Sequence, residues 1–175
     1  MDKPRNITLN NMKVKFNNLG GRPNDYGDVI LDVSFEVSDD LADNLRRDGY
    51  YVSQWQPKND PDAEPINLFK GIISFRDKTG ALKPRHQRPD VLLVMDGNDT
   101  GVELSESMMK NYFGKKRLEI LFADEVEINA SNKPRKDGQG YTAYINSIVL
   151  VCKNKSKYKI VASAPEDEDN YGDED

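Results

Sequence analysis

One cysteine and one histidine in 175 residues rule out most familiar site chemistry before any motif is read. Cys152 alone makes no intramolecular disulfide and no cysteine-based zinc cluster. It closes the apolar run Ile148–Cys152, the setting of a buried small hydrophobe rather than a nucleophile. His86 sits between Arg85 and Gln87, away from any candidate nucleophile, and has no second histidine with which to share a metal. No run reaches the roughly 20 apolar residues of a membrane span. The opening Met1–Asn6 is not followed by the apolar core of a leader. A cytoplasmic chain with no membrane partner is expected.

The motifs that could have carried catalysis also fall short. Gly20-Gly21-Arg22-Pro23 lacks the Gly-Lys-Ser/Thr ending of a phosphate loop, and Pro23 removes a donor that such a loop needs. Asp96-Gly97-Asn98-Asp99 has neither the alternating ligands nor the closing Glu of a calcium loop, and reads as a turn. Asp124 and Glu125 are adjacent on a predicted strand and point to opposite faces. Asp39 and Asp40 suit the first turn of a helix capped by Ser38. The expectation is a protein without catalytic residues, cofactor or metal.

What is present is strong alternation of period two. Ile7 and Leu9, then Met12, Val14 and Phe16, alternate with polar residues, so that Lys13 and Lys15 point away from the apolar face. Val29 to Val37, Tyr50 to Gln56, Ile66 to Arg76, Val91 to Met95, Leu118 to Ile128 and Tyr141 to Lys153 read as further strands, with a short one at 157–161. Ser38 opens a helix ended by Gly49, and Ser105 a short one through Phe113 ended by Gly114. Phe69, Ile73 and Phe75 share a core face. Short strands at this spacing without strand–helix alternation predict a mainly β sandwich or barrel.

Charge is unevenly spread. The last eleven residues, from Pro165, contain seven acidic residues and no basic one; residues 1–164 hold 25 Lys and Arg against 23 Asp and Glu. The expected organisation is one domain over 1–164 and a disordered acidic tail over 165–175. Within the body, Lys70, Arg76, Lys78, Lys83, Arg85, His86 and Arg88 fall within nineteen residues, opposed only by Asp77. Lys58 precedes them, and Lys133 and Arg135 lie in a later hairpin. Cations spaced in this way suit phosphates. Tyr51 and Trp55 share one face of their strand, and Tyr141 starts the return strand; rings on strands can stack on unpaired bases. Alternation alone leaves Trp55 open between core and groove. The candidate DNA-contacting set is Lys13, Lys15, Tyr51, Trp55, Lys58, Lys70, Arg76, Lys78, Lys83, Arg85, Arg88, Lys133, Arg135 and Tyr141. A five-stranded Greek-key barrel with an oligonucleotide in its groove, the OB fold, fits this combination.

Four stretches and the tail carry a resemblance: Arg5 to Phe16, Ser38 to Tyr50, Leu68 to Phe75, and Gly140 to Val149. Together they resemble the phage and prophage single-stranded DNA-binding proteins built on an OB fold with an acidic C-terminal tail. The resemblance implies non-catalytic binding of single-stranded DNA in replication and recombination, in the cytoplasm of a bacterial host. It implies that Glu166, Asp167, Glu168, Asp169, Tyr171, Asp173, Glu174 and Asp175 compete with DNA for the basic groove and recruit a polymerase or helicase. Family tails end on an aromatic or apolar side chain, whereas here Tyr171 precedes the acidic Asp173, Glu174 and Asp175. Competing readings are an acidic DNA-mimic inhibitor, a strand-annealing protein of the same fold, and a metal-dependent nuclease. The first needs acidic residues on the folded body, and the last needs clustered carboxylates or histidines. The sequence leaves a homodimer open.

Overall fold

The computed structural model describes residues 2–21, 30–97 and 101–153. Five strands close a barrel: β1 (Ile7–Asn17), β2 (Leu31–Val37), β4 (Ile66–Ile73), β7 (Ile120–Pro134) and β8 (Tyr141–Cys152). Around it, β1 pairs antiparallel with β2, and β2 with β4. The ring continues through a parallel β4–β8 seam, then antiparallel β8–β7 and β7–β1. This mainly β, closed five-stranded Greek-key barrel has the OB topology that the alternation and turn spacing predict.

The barrel interior is one continuous core that includes Val33, Phe35, Phe69, Ile73, Val126, Ile128, Ile145 and Leu150. Phe75 is also buried there, as its shared face with Ile73 predicts. At the seam, Gly71 opposes Ala143, and Ile145 fills the space where a Cβ on Gly71 would lie, 2.6 Å from its Cδ1. Glycine is required there because the two strands close over a large neighbour.

Between β2 and β4 lie α1 (Asp39–Arg47) and the short edge strand β3 (Ser53–Trp55). The Ser38 Oγ accepts a hydrogen bond from the Leu41 amide at 3.2 Å; Asp39 and Asp40 occupy the first turn, and Arg46 and Arg47 the last. Gly49, at φ +103°, ends the helix. Between β4 and β7 the chain adds β5 (Asp90–Met95), β6 (Gly101–Glu103) and α2 (Glu106–Met109). β5 runs parallel to β8 and extends the sheet beyond the barrel. Met109, Tyr112 and Leu118 from this insertion are buried in the core.

Several boundaries differ from the sequence reading. Tyr50 and Tyr51 bridge to the start of β8 instead of extending β3. β4 ends at Ile73. The second helix passes into a π-turn over Lys110–Lys115 rather than stopping cleanly at Gly114. β7 continues to Pro134, so the hairpin turn is confined to residues 135–140. The largest difference is in β1. Val14 pairs with Phe35 but Phe16 with Ser34, so Lys15 is an extra residue in a β-bulge. The bulge reverses the alternation and places Phe16 on the outer face, 41% exposed, where a period of two places it inside. The predicted strand at 157–161 and the acidic tail lie outside the described residues.

Candidate nucleic-acid interface

The outer face of β1, β2 and β4 is a lattice set by register. One cross-strand row reads Phe16–Ser34–Lys70, the next Lys13–Glu36–Leu68–Ser53. A third reads Asp32–Ile72–Tyr144. Trp55 pairs with Ile66 and so shares the face of Leu68, Lys70 and Ile72. It is half-buried, and its ring meets that of Phe16 edge-on, with centroids 5.0 Å apart and planes at 72°. The Lys15 ammonium lies 5.9 Å from the Phe16 centroid and 5.5 Å from that of Trp55. Leu68 is buried yet outside the contiguous core, which marks an apolar floor on this outer face.

Local sequence holds this shelf in place. The bulge turns Phe16 outward. Pro57 follows β3 closely, and the Gln56 amide donates to the carbonyls of Pro61 and Ala63 at 2.8 and 2.7 Å, which fixes the β3–β4 connection. Lys13 is exposed and pairs with Glu36 at 3.1 Å. Lys70 is exposed across from Ser34. Burial raises the Asp32 carboxyl above its ordinary range, and the Lys70 charge opposes that shift.

A second aromatic station lies at the β7–β8 turn. The Arg135 guanidinium stacks 3.8 Å from the Tyr51 ring centroid and donates to Asp137 at 2.8 Å. That hydrogen bond holds the Asp137 carboxyl below the usual range. Gly140, at φ +120°, lets the turn meet the end of α1: a Cβ there would come 2.8 Å from the Gly49 carbonyl. Tyr51 and Trp55 therefore belong to different stations.

The 76–88 loop adds a third part. A groove of about 1270 Å³ runs beside Ile72 and Tyr144, beneath Arg76, Arg85 and Arg88, to Ser105 on the insertion. Lys78 lines it too, whereas Lys83 is half-buried beside it, and the Lys83 carbonyl accepts a hydrogen bond from the Arg88 side chain at 2.7 Å. Arg76 is tied across the groove: its Nε and Nη2 donate to Glu106 at 3.0 and 2.8 Å, and its Nη1 to the Gly80 carbonyl. Lys58 and Lys133 are exposed, in the loop after β3 and near the end of β7.

Tyr141 is a correction. It is 4% exposed and packs in the core, because the odd residues of β8's first half point inward. Tyr144, three residues on, takes the outer face. Phe16 is an outward ring beside Trp55 that alternation misses; only the bulge reveals it. Among the described residues, no group of three His, Cys, Asp or Glu side chains could hold a metal ion, and no helix is long and apolar enough to cross a membrane.

A closed OB-type barrel with rings and lysines on its β2–β4 face thus defines the molecule. No family model and no curated protein matches the sequence. Among solved structures it resembles phage single-stranded DNA-binding proteins. One from bacteriophage Enc34 in complex with ssDNA is 12% identical with a TM-score of 0.49, over 86% of this chain and 88% of that one. The Enc34 protein in another structure is 13% identical with a TM-score of 0.46, over 94% and 88%. The protein encoded by bacteriophage T7 is 12% identical with a TM-score of 0.39, over 98% and 94%. Likeness at this level assigns no ligand and no residue role to this chain.

Proposed function

We propose that the chain binds single-stranded DNA, without sequence preference and without catalysis, across the outer face of β1, β2 and β4. The observation that carries this reading is the Phe16–Trp55 shelf with Lys15 over both rings. Half-buried rings on a strand face offer flat surfaces to unpaired bases, and stacking contributes about 1–3 kcal/mol per base whatever its identity. A duplex hides the same base faces between neighbouring pairs. Lys15 and Lys70 stand where a backbone crossing the shelf would pass, and each phosphate neutralised releases counterions. The strand would continue over Ile72 and Tyr144 into the groove under the 76–88 loop, with Tyr51 and Arg135 at the other margin.

In this reading residues 1–164 form the binding unit and act in phage replication and recombination. Glu166 to Asp175 compete for the same cations and dock replication proteins when DNA displaces them. Truncation after Ala164 then tightens DNA binding at low salt; unchanged affinity would remove the competition from the scheme.

Trp55 is the only tryptophan, so its fluorescence reports the site directly. Titration with oligo-dT and with the matching duplex, over a salt series, tests the proposal. Quenching by the single strand that salt reverses, with far weaker response to duplex, is expected. No quenching at low salt, or equal response to both, would overturn it.

A further inference from the structure

The insertion carries a cluster of charge that the shelf and the groove leave unused. Lys110, Lys115, Lys116 and Arg117 are four cations within eight residues, and no Asp or Glu occurs between Glu106 and Glu119. All four are exposed. Several other surface cations are neutralised by a neighbour: Lys13 by Glu36, Arg76 by Glu106, Lys153 by Glu119. Among the described residues no ion pair engages the four. Like charges this close in the chain repel one another, and the field they sum to stays open to a polyanion.

Local structure holds the cluster at the mouth of the groove. The chain passes through the π-turn Lys110–Lys115, a rare geometry that recurs at functional sites. The Lys116 amide donates to the Asn111 carbonyl and the Leu118 amide to the Tyr112 carbonyl, each at 2.9 Å. The Lys116 ammonium lies 5.1 Å from the centroid of the buried Tyr112 ring. The turn docks on the segment that follows β1. A Cβ on Gly20 would come 2.9 Å from the Gly114 Cα, so glycine alone permits that approach. Gly20 is only four residues beyond Phe16, and the Asn18 amide donates to the Asp32 carbonyl at 2.8 Å, which pins this segment to β2. Gly20, Gly21 and Lys110 all line the groove. The cluster therefore begins at the groove wall and continues beyond it along the insertion.

We propose that Lys110, Lys115, Lys116 and Arg117 bind the phosphates of a single strand as it leaves the groove. This site rests on the single-strand reading above and lengthens the path by a third stretch. It reads no bases: Tyr112 is buried, and Phe113 is half-buried and packed against the core. Its affinity comes from counterion release, and only a strand long enough to reach it gains.

Oligonucleotide length tests this. Labelled oligo-dT of about 6 and about 20 nucleotides brackets the roughly 4–16 nucleotides that one OB fold covers. Anisotropy compares the full chain with a variant carrying Lys110→Gln, Lys115→Gln, Lys116→Gln and Arg117→Gln. At low salt the variant is expected to lose about tenfold or more in affinity for the long strand and less than about twofold for the short one. Its plot of log K against log salt for the long strand should flatten by about 0.7 per phosphate released, up to ~2.8. Equal losses at both lengths, or no loss at either, would overturn the proposal. A control variant replaces Lys3, Arg5, Arg47 and Lys153 by Gln, four exposed cations that do not line the groove. It should retain the parent's length dependence; the same length-dependent loss there would reduce the effect to net charge and also overturn the proposal. Failure of the parent chain to bind either strand would instead remove the single-strand reading, and this site with it.

Discussion

The two outer faces of this barrel differ in the apolar groups they present and in the charge beside them. Around β1, β2 and β4 the outward apolar groups include two rings, the exposed Phe16 and the half-buried Trp55, with Lys15 over them and Lys70 nearby. Around β5, β7 and β8 the outward apolar groups are branched aliphatics, the exposed Leu92 and the half-buried Val94, Val149 and Val151, flanked by Glu103 and Glu125. Buried area alone would not tell the two apart. A ring has a flat face that tolerates any base, and a cation adds affinity for the linking phosphates. An aliphatic surface has neither, and adjacent carboxylates turn a polyanion away. The sign of the neighbouring charge therefore makes the ring face the better surface for a polyanion of the two.

Mutations sharpen that contrast. Trp55→Ala removes the larger ring and should weaken oligo-dT binding about 5- to 150-fold, the equivalent of about 1–3 kcal/mol of stacking. Anisotropy of labelled oligonucleotide measures it, and Trp55→Phe should recover most of the loss. Lys15→Gln with Lys70→Gln should lower affinity several-fold at low salt. It should also flatten the plot of log K against log salt by about 0.7 for each phosphate no longer neutralised, or by ~1.4 together. A drop in affinity with unchanged slope would place these lysines off the phosphate path.

Asp32 supplies a smaller and opposite effect. Its folded pKa is raised, so its charged form is disfavoured in the native state. The cost is present at neutral pH and is relieved as pH falls through the folded value toward the unfolded one. Asp32→Asn should raise the melting temperature at pH 7, with the gain fading near pH 4. It should also tighten DNA binding about twofold, the effect of one charge acting through water over roughly 10 Å. Leu92→Glu should leave oligo-dT affinity within about twofold of the parent. A larger change would join the two faces into one functional surface.

The barrel strands are legible in the sequence because alternation and turn residues agree locally. Ser38, Gly49 and Ser105 mark helix ends where the structure has them, with both serines accepting amide hydrogen bonds at position three. Lys13, Lys15 and Lys70 stand on the outer face for the same reason. Phe16 and Tyr141 do not follow. A period-two pattern carries no signal for the extra residue at Lys15 that reverses Phe16. The place of Tyr141 beside a basic loop suggests exposure, while its burial depends on the bridge to Tyr50 and the hydrogen bond to Gly49, contacts with a segment some 90 residues earlier. The Arg135–Tyr51 stack is equally non-local. The tie between Arg76 and Glu106 across the groove depends on where the insertion folds.

The parallel seam between β4 and β8 carries a consequence for how the molecule forms. It is paired only at Gly71 with Ala143 and at Ile72 with Tyr144, positions about seventy residues apart in the chain. Neighbouring hairpins such as β7–β8 can zip from their own turns, but this seam must await the ends of a long loop, and such pairings slow folding. The barrel should therefore close late and reopen there first. Amide protons of Ile72 and Tyr144 would exchange with solvent sooner than those of Val126 or Ile148, and the ring shelf, built on β1–β4, would be assembled before the cylinder is complete.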